Sequence, residues 1–160
     1  MLVVRHTKYD DLKEIEDIFK YARKIMKDNN NPSQWGDDRP GIDLVIKDIE
    51  EDSSYVVLED GKIVGTFACI KGIEPTYIEI DGKWLNDDPY VTIHRIASKS
   101  RGVFNCAIEY AKKFNMDIRI DTHKDNSIMR HLIEKAGFEE CGIIVVDDGT
   151  PRIAYQRIKD

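Results

Sequence analysis

The chain has 160 residues, 41% hydrophobic and 34% charged, enough apolar matter for one packed domain over residues 1–160 and too much for a disordered chain. Thirty acidic against 24 basic side chains give a formal net charge of −6, which argues against a general nucleic-acid or anionic-membrane surface. The three scattered cysteines (Cys69, Cys106 and Cys141) form no CxxC, and no leader or apolar run of about 18 residues is seen, so a soluble cytoplasmic protein without zinc cluster or disulfide framework is expected.

Residues 2–6 read as an opening strand. From Asp10 onward Leu12, Ile15, Ile18, Phe19, Ala22, Ile25 and Met26 recur at three- and four-residue steps, the mark of a helix with one apolar face. Asn29-Asn30-Asn31-Pro32 ends it. Residues 32–41 form a loop that carries Trp35 among polar neighbours, and Ile42, Val45, Ile46 and Ile49 mark a second helix. Strands at 54–58 and 62–71 flank Glu59-Asp60-Gly61, a hairpin signal. Residues 76–80 are expected to be a further strand, with Asp81-Gly82 turning the chain toward Trp84. A strand at 90–97, a helix through Phe114, a strand at 118–122 and a helix over 126–136 follow. Residues 138–146 and 152–158 close the chain as two strands. This order predicts an α+β fold, helices packed on a central mixed sheet, with the strands at 90–97 and 118–122 side by side and parallel.

The junction Ile96-Ala97-Ser98-Lys99-Ser100-Arg101-Gly102-Val103-Phe104-Asn105 carries the clearest chemical signal. A strand feeds a basic, glycine-bearing loop that opens a helix. The first amides of a helix lack internal partners and sit at its positive end, so a phosphate or pyrophosphate binds there naturally. The same pattern also describes an ordinary strand-to-helix turn. It is neither GxGxxG nor GxxxxGK[ST], so no dinucleotide or P-loop fold is implied.

From Val91 onward the chain resembles the GNAT superfamily of acyl-CoA-dependent N-acyltransferases. The residues that carry the resemblance are Ile93-His94-Arg95-Ile96-Ala97, the loop Lys99-Ser100-Arg101-Gly102, the stretch from Ile118 to His123, Asn126 with Ile133 to Phe138, and Gly149 to Tyr155. Gln34-Trp35, Gly65-Thr66-Phe67 and the stretch from Tyr77 to Tyr90 extend it over nearly the whole chain. The resemblance implies a mostly antiparallel twisted sheet with splayed central strands, and acetyl-CoA as donor without a metal. It places the donor on Ile96, Ala97, Lys99, Ser100, Arg101, Gly102, Val103, Phe104 and Asn105, with Asn126 meeting the pantetheine arm or simply capping its helix. The family's loop has the form [RQ]-x-x-G-x-[GA]. Here Lys99 and Phe104 depart from it, and Ile133 stands where many members carry a tyrosine that protonates the departing thiolate.

The reaction implied is direct attack of an amine on the thioester, with a strand amide near Ile96 on the developing oxyanion. An alkyl amine arrives protonated, so a base is needed. His94 is the first candidate and His123 the alternative, with Asp121 to orient either. Trp35, Trp84, Tyr90 and Tyr155 are candidate walls for the acceptor. Acidic Asp37, Asp38, Glu74, Glu79 and Asp81 suit a cationic acceptor or form a solvated face, and Cys106 in the first turn of a helix offers a covalent route. The expected partner is a small-molecule amine, with no nucleic acid or membrane, and a homodimer is compatible with the chain. The rivals are a protein N-terminal or lysine acetyltransferase, a non-catalytic acyl-CoA sensor, and an interaction module that has lost its ligand.

Overall fold

The structure, a computed structural model, describes residues 1–36 and 38–160. Eight strands form one open sheet in the order β1-β2-β3-β5-β6-β8-β7-β4. The elements are β1 (Leu2–His6), α1 (Leu12–Asp28), α2 (Ile42–Glu50), β2 (Ser54–Glu59), β3 (Lys62–Lys71), β4 (Asp81–Gly82), β5 (Tyr90–Ser98), α3 (Val103–Lys112), β6 (Asp117–Thr122), α4 (Ser127–Lys135), β7 (Glu139–Val145) and β8 (Pro151–Arg157). All neighbours pair antiparallel except β5 and β6, which α3 joins as a crossover. The apolar stripes land as their spacing predicts. Ile15, Ile18 and Phe19 of α1 and Val45 of α2 bury against Val56 and Ala97, while α3 and Ile133 of α4 close the main core over Phe67, Ile93, Ile118 and Tyr155. The β2–β3 hairpin turns through Asp60 and Gly61, both at positive φ, which fits the right-handed twist of the flanking strands.

Two expectations fail at one place. Residues 76–80 form no strand; a short 3-10 turn runs over Pro75–Tyr77 instead. Pro75 fixes its own φ and has no N–H to give a ladder, and the Glu74 side chain caps the turn by accepting from the Thr76 amide at 2.7 Å. Asp81-Gly82, expected as a turn, is the edge strand β4 against β7.

The site is made by a fault in the sheet. β5 and β6 are in register only at Tyr90–Asp117, Val91–Ile118 and Thr92–Arg119, after which they part. On the other side of β5, His94 pairs with Ala68 and Ala97 with Thr66, so Arg95 and Ile96 share the single partner Phe67. This is a β-bulge, which twists the strand locally. Arg95 sits at φ +53°, unusual for a non-glycine residue. Its guanidinium is held by Asp48 of α2 through two hydrogen bonds of 2.8 Å, and Asp48 is buried.

Candidate active site

The cleft between the parting strands has two compartments. The first is a groove of about 660 Å³ between the start of α3 and the start of α4. Gly102 caps α3 at φ +90°, and the first turn-closing bond runs from the Cys106 amide to the Gly102 carbonyl. The amides of Val103, Phe104 and Asn105 therefore have no backbone acceptor, and Lys99, Arg101 and Lys135 ring them on the groove wall. Gly65 lets this helix start lie close, since a Cβ there would sit 2.6 Å from Val103. Free amides at a positive helix end beside three cations suit a pyrophosphate. Phe104, the departure from the family's loop, is 6% exposed and turns into the core, so its ring leaves the amides open. Ala97 is buried against α1 and does not line the groove; Ile96, Ser98 to Asn105 and Asn126 do.

The second compartment is a narrower cavity of about 220 Å³, which meets the groove at Met26, Ile96, Asn126 and Met129. His94 from β5 and Asp121 from β6 face it from the two sides of the split. His94 Nε2 lies 2.9 Å from Glu74 Oε1. Glu74 is fixed on every side: its Oε2 accepts from the Thr76 amide and hydroxyl, and its own amide donates to the Tyr90 hydroxyl at 2.8 Å. The His94 hydrogen bond, followed by that from the Thr76 amide, pulls the Glu74 carboxyl down to about 2 against the cost of its burial. Glu74 is therefore an anion throughout the neutral range. It favours the imidazole tautomer with the proton on Nε2, leaving Nδ1 as the basic nitrogen.

Asp121 does not orient a histidine. Its Oδ2 accepts from the Tyr77 hydroxyl at 2.6 Å. Burial, then the Asp121 charge, raises the Tyr77 phenol well above its usual range, so it stays a donor. His123 lies outside both compartments. Its Nδ1 accepts from the Asp125 amide at 3.0 Å, and burial ahead of the Arg152 charge lowers its pKa. Asn126 caps α4 through Met129 and also donates to Gln34 Oε1 at 3.0 Å, so the cap role is present and the residue also lines both compartments.

Of the four aromatic wall candidates, Trp35 alone lines the cavity, resting edge-on against Phe19. Trp84 and Tyr90 flank the buried Arg119 guanidinium at 4.0 Å each, a pair of cation–π contacts that keeps both rings in the protein. Tyr155 is fully buried in the main core. The Cys106 thiol lines neither compartment and burial raises its pKa, which removes the argument for a covalent route. Ile133 is likewise buried in the core. Asp37 lies outside the described residues. Glu74 came into the sequence reading only as a charge; Glu-Pro-Thr, a capping acid before a proline, was the available signal for its fixed place. Gln34 was missed as a bridge: its Oε1 takes Asn31, Asn126, Thr122 and the His123 amide, and its carbonyl takes Arg152, so it ties the loop to β6 and β8.

The sheet is thus split where its one parallel pair among the described residues parts, with free helix amides on one side and a carboxylate-fixed imidazole on the other. An acetyltransferase of the GNAT family from Streptococcus agalactiae 2603 has a TM-score of 0.89 at 31% identity, over 99% of this chain and 96% of its own. One from Listeria monocytogenes 4b F2365 has a TM-score of 0.72 at 20% identity, over 98% and 94%. A chain of the NatC complex bound to Gag peptide and CoA has a TM-score of 0.66 at 13% identity, over 99% of each, and shares the fold. No family model and no curated protein matches the sequence. The chain belongs to the GNAT family of acetyltransferases. No helix among the described residues is long and apolar enough to cross a membrane.

Proposed function

We propose that this acetyltransferase moves an acetyl group from acetyl-CoA to the primary amine of a small cytoplasmic molecule, by direct attack with both substrates bound. The observation that carries this is the meeting of the two compartments at Ile96, in front of the bulge. The pyrophosphate lies on the amides of Val103, Phe104 and Asn105, with Lys99 and Arg101 beside it and Ser100 and Gly102 shaping the approach. The acceptor enters from the Trp35 side, its ammonium drawn to Asp121. His94 Nδ1 takes the proton that blocks the nitrogen lone pair. The amine then forms a C–N bond to the thioester carbonyl carbon while charge gathers on the carbonyl oxygen near the Ile96 backbone. The C–S bond breaks as the carbonyl re-forms, and the second proton on the nitrogen passes to solvent or to the departing sulfur. Coenzyme A departs as a thiolate, which needs little acid help because an ordinary thiol ionises near neutral pH. That accounts for an aliphatic side chain at Ile133.

Thermal unfolding tests the donor site and thiol release tests the chemistry. Acetyl-CoA or CoA at about 100 times its Kd is expected to add about 2.7 kcal/mol to stability and raise Tm by several degrees, with no effect of ATP at the same concentration. Thiol release is then expected with small amines. Equal shifts with ATP, or none with either CoA compound, would discard the donor assignment.

A further inference from the structure

Several charges around the acceptor cavity are held in ion pairs. Arg95 is satisfied by Asp48, Arg39 is ion-paired to Asp148, and Glu74 holds His94. Arg152 differs. It is 5% exposed and lines the cavity, yet its guanidinium bonds only to neutral oxygens: Thr150 Oγ1 at 2.8 Å, the Pro151 carbonyl at 2.9 Å and the Gln34 carbonyl at 3.0 Å. Among the described residues it has no ion pair. A buried cation bonded only to neutral groups is costly, and burial pushes its basicity down, with the charges of Asp121 and Asp148, neither in direct contact, opposing. Asp121 is the converse, a carboxylate in the same cavity whose bonded partner is the neutral Tyr77 hydroxyl. Asp121 pairs with Ala154 across β6 and β8, so Arg152 is its diagonal neighbour on the same face, within reach of long side chains. The cavity therefore presents one carboxylate and one guanidinium on the same face of the sheet, neither of them in an ion pair among the described residues. Trp35, Pro40, Leu44 and Met26 supply an apolar wall beside them.

We infer that the acceptor is a free amino acid with an apolar side chain, its ammonium on Asp121 and its carboxylate on the buried Arg152. This rests on the acetyl-transfer reading above and narrows it: a polyamine or a protein N-terminus offers no carboxylate beside its amine.

The test measures thiol release from acetyl-CoA with the full chain, using phenylalanine, leucine and methionine. Each is compared with its amide and with the amine that lacks the carboxyl group. The free acids are expected to show kcat/KM at least about tenfold above their amides and amines, the range of a lost charge-assisted hydrogen bond. Arg152→Gln should erase that preference by raising KM for the acids more than for the decarboxylated amines; Arg152→Lys should restore part of it. A binding readout independent of folding in the variants is the wild-type Tm with CoA present, which the free acids should raise and the amides should not. Amides or decarboxylated amines used as well as the acids, or a preference unchanged in Arg152→Gln, would overturn the inference while leaving acetyl transfer intact. An acetyl-CoA-dependent Tm shift with no thiol release from any amine would overturn the catalytic reading and the inference with it.

Discussion

At the scale of single residues, the proposed chemistry depends on a histidine held by a carboxylate. His94→Ala is expected to lower kcat by about 10²–10⁴, the range of a lost general base, while the Tm shift with acetyl-CoA stays as in the wild type. Glu74→Gln should leave the ring in place and lose the tautomer preference, at a cost of about tenfold or more in kcat with little change in acetyl-CoA affinity. Because the Glu74 carboxyl lies near 2, its own titration falls far below the pH range of an assay. That His94 lines the cavity was legible in the sequence, since it is the sole histidine in a strand that leads into the α3 loop. Glu74, Tyr77 and Gln34 were not legible as site residues. They reach the site through loops, and beside local partners such as Thr76 they are fixed by residues 16 to 92 positions away in the chain. No local periodicity encodes such pairings.

Secondary-structure elements place those residues, and two local devices matter most. The bulge in β5 keeps a non-glycine residue at positive φ, and the Arg95–Asp48 pair spans from it to α2. Asp48→Asn leaves the partly buried guanidinium without a counter-charge. It is expected to cost about 3 kcal/mol in denaturant unfolding, with a fall in kcat larger than any change in acetyl-CoA affinity. A stability equal to wild type would show that the bulge stands without the pair. The second device is the α3 start. Gly102→Glu sets a negative side chain against the donor phosphates, but the positive φ penalises any Cβ there and Leu2 lies 3.3 Å from it. Gly102→Ala is therefore the needed control. Both variants should lose about 1 kcal/mol of stability, and Glu should lose far more donor affinity than Ala, as read by calorimetry. The helices and the hairpin were legible because period and turn chemistry are local signals. The stretch at 76–80 was misread because its alternation mimics a strand, whereas Pro75 and the Glu74 cap close a 3-10 turn.

For the whole molecule, the order of elements was enough to predict a mixed sheet with one parallel pair, and the register of β5 with β6 agrees. Where that pair separates was not encoded in either strand alone, because it follows from the bulge opposite Phe67. A global consequence concerns pH. Burial, ahead of the Arg152 charge, holds the His123 pKa below its ordinary 6.5 in the folded state. Between that lowered value and 6.5 the unfolded chain binds more protons than the folded one. The stability linked to His123 is thus complete above pH 6.5 and drains away as pH falls through the folded value. Unfolding midpoints measured from pH 7.5 to 5 should drop on the acid side, and His123→Gln should flatten that slope. An identical slope in the variant would assign it to other groups.

The brevity of the β5–β6 ladder has a mechanical meaning. β1, β2, β3 and β5 form one leaf of four strands, β6, β8, β7 and β4 form another, and three register pairs are the stitching between them. Gln34 and the Arg39–Asp148 pair lace the far margin from the loop side. On the side of the cleft the two leaves are therefore joined by a short ladder and a few side-chain links. A molecule seated across the gutter would add contacts to both leaves without disturbing any other ladder. Deuterium uptake at residues 93–97 and 119–122 should then slow together when acetyl-CoA binds, including at amides the donor never touches.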